Sequence, residues 1–150
     1  NIAVNVALQK AQQSLRATSL LTIDVDHFKS VNDVYGHSGG DKALKFLVNS
    51  IVEVLPKDGQ VYRIGGEEFY VLLPNSDLAE ARVIAEKIRQ HIPEQTLSLR
   101  GGELAMTVSI GAIQLGAELQ LEDAYKRVDR ALYEAKATGR NRVCLAYYDD

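Results

Sequence analysis

Apolar residues recur along the chain with two different periods. Val4, Leu8, Ala11 and Leu15 stand at helical spacing with Gln and Lys between them, which predicts an amphipathic helix over residues 2–16. From Ser19 to Phe28 the period drops to two. Leu21, Ile23 and Val25 fall on one face and Leu20, Thr22, Asp24 and Asp26 on the other, the pattern of a strand. Residues 29–35 read as a short turn or helical piece, and residues 36–41 as a glycine-rich loop. Leu44, Leu47, Val48, Ile51 and Leu55 then form the stripe of a second helix, ended by Pro56, with Asp41 at or near its N-terminus as a cap. Two apolar runs, 61–64 and 69–73, flank Gly65-Gly66 and predict a hairpin in which glycine supplies a positive φ.

Asp77 and Glu80 form a capping-box-like start for a third helix with Leu78, Ala81, Ile84, Ala85 and Ile88 inward and Pro93 just past its end. His91 in its last turn complements the helix dipole. Residues 96–100 and 103–110 read as two strands around Gly101-Gly102. A fourth helix over 121–138 turns Leu121, Ala124, Val128, Ala131, Leu132 and Ala135 inward and stops at Gly139, and a last strand covers 142–147. Adjacent hairpins among helices predict an α+β fold with a central, largely antiparallel sheet flanked by helices.

Composition narrows the setting. The 150 residues fit one domain, 1–150, with a sizeable core. A net charge of −3 gives no global attraction for nucleic acid or anionic membranes, so an anionic ligand must meet local cations. No apolar run is long enough for direct membrane insertion, and no signal peptide opens the chain. The single Cys144 forms no internal disulfide and reads as a buried structural thiol. The abrupt start at Asn1 suggests a piece of something longer.

The candidate chemistry is acidic. Glu67 and Glu68 follow the Gly65-Gly66 turn; taken alone they also suit a solvated, charged turn. Asp is depleted in strands, so Asp24 and Asp26 at period two are unusual. Carboxylates at strand ends and one tight turn are what a Mg²⁺–nucleotide site needs, since Mg²⁺ takes one or two carboxylates plus substrate phosphates. The glycine-rich loop lacks P-loop spacing. Lys136 and Arg140, four apart at a helix end, also suit dipole complementation, and His37 also suits an ordinary loop histidine.

Five segments in order resemble one family. Asp24-Val25-Asp26-His27-Phe28-Lys29, with Asn32-Asp33, Gly36-His37 and Gly40-Asp41, is followed by Arg63 through Phe69, by Thr107 through Gly111, and by Ala131 through Lys136 with Gly139-Arg140-Asn141. Together they resemble the GGDEF family of diguanylate cyclases over nearly the whole chain. Glu stands at the third motif position, where the family name has Asp. The family's usual N-terminal motif segment is missing apart from what Asn1 could match.

The resemblance implies a palm-like nucleotide cyclase fold that condenses two GTP into cyclic di-GMP and two pyrophosphates. It implies a homodimer holding one GTP per domain, control by a fused or partner sensory domain, and no nucleic acid partner. It places the domain in the cytoplasm, free or tethered to the inner membrane through a preceding region. It makes Asp24, the Val25 carbonyl and Glu67 the ligands of Mg²⁺ or Mn²⁺. Glu67 is also the candidate proton acceptor, Glu68 supports the site, and Lys29 stabilises the transition state. Asn32 and Asp41 read guanine, Phe28 and His37 lie on the substrate side, and Lys136 and Arg140 clamp phosphates. Asp26 and Arg63 are expected to be structural or supporting. A product-inhibition motif, Arg-x-x-Asp, is absent at the matching positions Pro56 and Gly59, so no feedback through that site is expected. The competing readings are a catalytically inactive regulator that binds GTP or cyclic di-GMP, and a cyclase of different nucleotide choice.

Overall fold

The computed structural model describes residues 2–14 and 16–147. Helix α1 (Ile2–Gln13) is followed by strand β1 (Thr18–Val25), helix α2 (Phe28–Val54), strands β2 (Gln60–Arg63) and β3 (Glu68–Pro74), and helix α3 (Leu78–Glu94). Strands β4 (Leu97–Leu99), β5 (Gly102–Leu104) and β6 (Val108–Leu115), helix α4 (Leu121–Ala137) and strand β7 (Val143–Leu145) complete the order. The main sheet runs β2-β3-β1-β6-β7, antiparallel except for the parallel β6–β7 pair. This is the α+β architecture that the pattern predicts.

β1 is central, and both of its faces are buried. Leu21, Ile23 and Val25 join Phe69, Val71 and Ile110 in a core under α2 and α3. Leu20 joins Tyr70, Leu72 and Ile113 in a second core under α1 and α4, which includes Val4 and Leu8. Leu15, the last residue of the predicted α1 stripe, lies outside the described residues. Each fully buried aliphatic side chain contributes roughly 1.5–3 kcal/mol relative to exposure.

Several boundaries differ from expectation. β1 stops at Val25 because His27 takes a left-handed φ of 57° and α2 starts at Phe28. The predicted glycine-rich loop is helical apart from a kink at Gly36, where φ is 74°. Gly39 and Gly40 are buried there, so close packing outweighs glycine's poor helix propensity. Asp41 therefore lies inside α2 and caps nothing. Pro93 lies within the last turn of α3, not beyond it. The predicted 103–110 strand divides: β5 pairs with β4 in a separate two-stranded sheet, and β6 joins the main sheet. Cys144 is half-buried on β7 rather than fully buried.

Other local signals hold. Asp77 accepts from the Glu80 amide at 2.8 Å and Glu80 accepts from the Asp77 amide at 3.3 Å, a complete capping box. His91 sits in the last turn of α3 and also meets Glu53 of α2 at 2.8 Å. At Gly111 an added Cβ would lie 2.5 Å from the Val128 carbonyl and 2.8 Å from the Leu132 amide. The missing side chain lets α4 settle onto β6.

Candidate active site

The site forms where β1 ends and its antiparallel neighbour β3 begins. Their antiparallel register sets Asp24 opposite Glu68, and the Val25 amide donates to the Glu67 carbonyl at 3.4 Å. The hairpin tip is braced by Arg63, whose guanidinium donates to the Gly65 and Gly66 carbonyls at 3.1 and 2.8 Å. Neither glycine lies in the left-handed region, contrary to the sequence expectation, and a Cβ at either would meet no protein atom within 4 Å. The fold itself does not require glycine there.

From α4, Lys136 donates to Asp24 Oδ2. Asp24 is only 5% exposed, and its Oδ1 is buried without a hydrogen-bond partner. Burial raises the Glu67 pKa, the Asp24 carboxylate adds to that, and Lys136 opposes it. Burial also raises that of Glu68, reinforced by Asp129 and opposed by the Thr22 hydroxyl, which donates to Glu68 Oε1 at 3.2 Å.

Asp129 and Thr22 are neighbours that the sequence reading missed. The Tyr70 hydroxyl donates to Asp129 at 3.3 Å, and the Tyr70 ring stacks on Tyr125 with centroids 5.4 Å apart. Burial and Asp129 push the Tyr70 phenol upward. Asp129 precedes Lys136 by seven residues on α4, two helical turns, and that spacing is the signal that could have found it.

The other predicted residues lie along α2. A Cβ on Gly40 would fall 1.9 Å from Asn32 Oδ1 and 3.3 Å from the Phe28 ring. Asn32 and Phe28 are thus packed against the residue preceding Asp41, across the Gly36 kink. Asp41 is exposed and lines a cleft of about 680 Å³ with Leu44, Val48, Val61, Arg63 and Phe69. Lys29 and His37 are exposed on the same helix. Arg140 is exposed in the turn after α4, with its amide bonded to the Ala135 carbonyl at 2.9 Å. Gly139 is the predicted C′ stop, at φ 132°. Arg140 and Asn141 follow at φ 62° and 49°, positions that cost non-glycine residues about 1–3 kcal/mol each. Asp26, read from sequence as structural or supporting, accepts from Thr107, Ser109 and the Asn141 amide.

Among the described residues no group of three or more His, Cys, Asp or Glu closes into a metal cage. The donor set fits a hard divalent cation shared with phosphates: two adjacent carboxylates, one with an unpartnered buried oxygen. No helix of the described residues is long and apolar enough to cross a membrane.

The sequence and the fold both resemble known proteins. The chain is 44% identical over 128 residues to the diguanylate cyclase DgcM of Escherichia coli K12, covering 85% of this chain and 30% of that one. It is 42% identical over 130 residues to the uncharacterized protein YhcK of Bacillus subtilis 168, covering 85% and 36%. The chain thus spans about a third of the length of these relatives. Among solved structures, the active GGEEF domain of a diguanylate cyclase from Vibrio cholerae superposes with a TM-score of 0.84 at 34% identity, covering 95% of this chain and 90% of that one. The GGDEF domain of DgcB from Caulobacter crescentus, in complex with c-di-GMP, gives 0.88 at 30% identity, covering 96% and 88%. The family model for "Diguanylate cyclase, GGDEF domain" matches residues 2–142, and the chain belongs to that family.

Proposed function

We propose that this domain is an active diguanylate cyclase, joining two GTP into cyclic di-GMP with loss of two pyrophosphates between two domains that each hold one GTP. The observation that carries the reading is the convergence of Asp24, Glu67 and Glu68 with Lys136 at one sheet end, where Asp24 Oδ1 is buried and unpartnered.

In this reading Asp24, the Val25 carbonyl and Glu67 hold Mg²⁺ or Mn²⁺. When bound, such a cation would supply positive charge against the triphosphate and help orient its reacting phosphate. Lys136 and Arg140 engage phosphate oxygens, Arg140 in a bidentate manner. The Lys29 ammonium, or the backbone amides of residues 27–29, would face the transferring phosphate. Asp41 accepts from guanine N1–H and N2–H₂, and Asn32 meets O6 or N3. Adenine lacks those donors and would leave Asp41 unpaired, which disfavours it. Phe28 and His37 complete the substrate side. Glu67 is the candidate acceptor for the 3′-hydroxyl proton, and Glu68 supports it. The open space beside Gly65 and Gly66 suits close approach of a ligand to the backbone. The substrate suits the cytoplasm, and a fused or partner sensory domain would control pairing.

Incubation with GTP and Mg²⁺, followed by chromatography, tests the reading; cyclic di-GMP is the expected product. Tight GTP binding without any cyclic dinucleotide would instead identify a regulator that only binds. Glu67→Gln removes a metal ligand and is expected to lower turnover by at least about a hundredfold while the far-UV spectrum stays unchanged. Full activity in that variant would remove Glu67 from its role.

A further inference from the structure

Asp26 is 7% exposed, and no ion pair reaches it among the described residues. Burying a carboxylate is costly unless hydrogen bonds replace its water. Asp26 has three such donors. Ser109 Oγ donates to Oδ1 at 2.6 Å, and Thr107 Oγ1 and the Asn141 amide donate to Oδ2 at 2.7 and 3.0 Å. The Asp26 amide in turn donates to the Thr107 carbonyl at 3.0 Å. The hydroxyls come from Thr107 just before β6 and from Ser109 within it, and hold the carboxylate still. The third donor comes from the left-handed turn after α4, and it is the amide directly after Arg140.

The Arg140 backbone is therefore pinned at both peptide groups. Its own amide bonds Ala135, and the next one bonds Asp26. The Arg140 carbonyl also accepts from Arg142 Nε at 3.1 Å. Asp26 stands two residues beyond Asp24 on the same chain end. We infer that Asp26 is a positioning residue for the phosphate-binding cation: its carboxylate ties the Arg140–Asn141 turn to the strand that carries Asp24. Asp24 and the backbone from which the Arg140 side chain springs then keep a fixed separation. The inference rests on the proposed phosphate role of Arg140.

Binding of a GTP analogue bearing sulfur on the α-phosphate, with Mg²⁺, tests it in the wild type, Asp26→Ala, Asp26→Asn, Arg140→Ala and the Asp26→Ala/Arg140→Ala pair. Each alanine change is expected to weaken binding about tenfold, and the double variant no more than about twofold beyond Arg140→Ala. Asp26→Asn is expected to restore most of the affinity, because its amide oxygen accepts from Asn141 and its NH₂ donates to the Ser109 hydroxyl, which can rotate. A merely structural role would weaken binding by the same factor whether or not Arg140 is present. An additive double variant, about a hundredfold weaker, overturns the inference. So does unchanged affinity in Asp26→Ala. If Asp26→Ala does not fold, Asp26→Asn and amide exchange carry the test. The Asn141 amide of the wild type should exchange slowly, and exchange at the rate of an open loop overturns the proposal.

Product assays on the same proteins separate the two claims. An Arg140→Ala variant that binds the analogue normally and still makes cyclic di-GMP sinks this inference and leaves the cyclase reading standing. A wild type that makes no product, yet shows the non-additive binding cycle, does the reverse.

Discussion

Glu67, Glu68 and Asp129 crowd one end of the sheet, and burial is the first cause that raises the pKa of each. A carboxyl whose folded pKa lies above its unfolded value favours the fold while protonated. That contribution is complete below the unfolded pKa, near 4.5 for Glu, and is lost as pH rises through the folded value. Without divalent cations, Glu68→Gln should therefore stabilise the domain at neutral pH, with a gain that fades toward pH 4.5. Thermal unfolding midpoints across that range check it. A midpoint difference independent of pH would show that packing, not charge, sets the effect. The convergence of Asp24 and Glu67 was implied by the family resemblance; alone, a period-two strand and a hairpin motif put each carboxylate at a strand end without saying that the two strands pair. Asp129 is not legible that way. Its approach to Glu68 exists only once α4 lies on the sheet, and the Thr22 hydroxyl is hidden in an ordinary strand position.

Two kinds of glycine separate at the level of elements. Gly111 serves packing, since a Cβ there would overlap the α4 backbone. Gly111→Ala should cost about 1–3 kcal/mol in urea unfolding and, by lifting α4, also carry Lys136 away from Asp24. Gly65→Ala meets open space, so its stability should stay within about 0.5 kcal/mol of wild type. On the proposed function its GTP turnover should nevertheless fall, because a ligand approaching the backbone there would meet the added Cβ. Equal losses of stability in the two variants would refute the distinction. The amphipathic stripes of α1, α3 and α4 made those helices readable, as did the capping box of α3. The run through Gly36–Gly40 did not read as helix, because local propensity opposes it. Only the seats that Tyr35 and Asn32 make for Gly39 and Gly40 reveal why it forms. The break between β5 and β6 was equally hidden, since alternation in sequence says nothing about which sheet a strand joins.

The molecule brings Asp24, Glu67, Glu68 and Lys136 together at one sheet end, a single site per domain, whereas the proposed product contains two nucleotides joined by two equivalent bonds. A two-fold product calls for a two-fold arrangement, in which each domain offers its nucleotide's 3′-hydroxyl to the α-phosphate held by the other. On the proposed function, one domain would load one GTP and a second domain would be needed to complete the ring. Reaction rate should then follow the concentration of paired domains. Far below the pairing constant, doubling the protein should raise the rate about fourfold; far above it, about twofold. Initial rates of cyclic di-GMP formation over a dilution series, with sedimentation measured on the same samples, give the comparison directly. Fusion to a short dimeric coiled coil should make the rate proportional to protein at every dilution, removing the fourfold regime, and raise the rate at high dilution. Strict proportionality between rate and protein across the range where sedimentation shows monomers would mean that a single domain completes both bonds, and the paired mechanism would have to be abandoned.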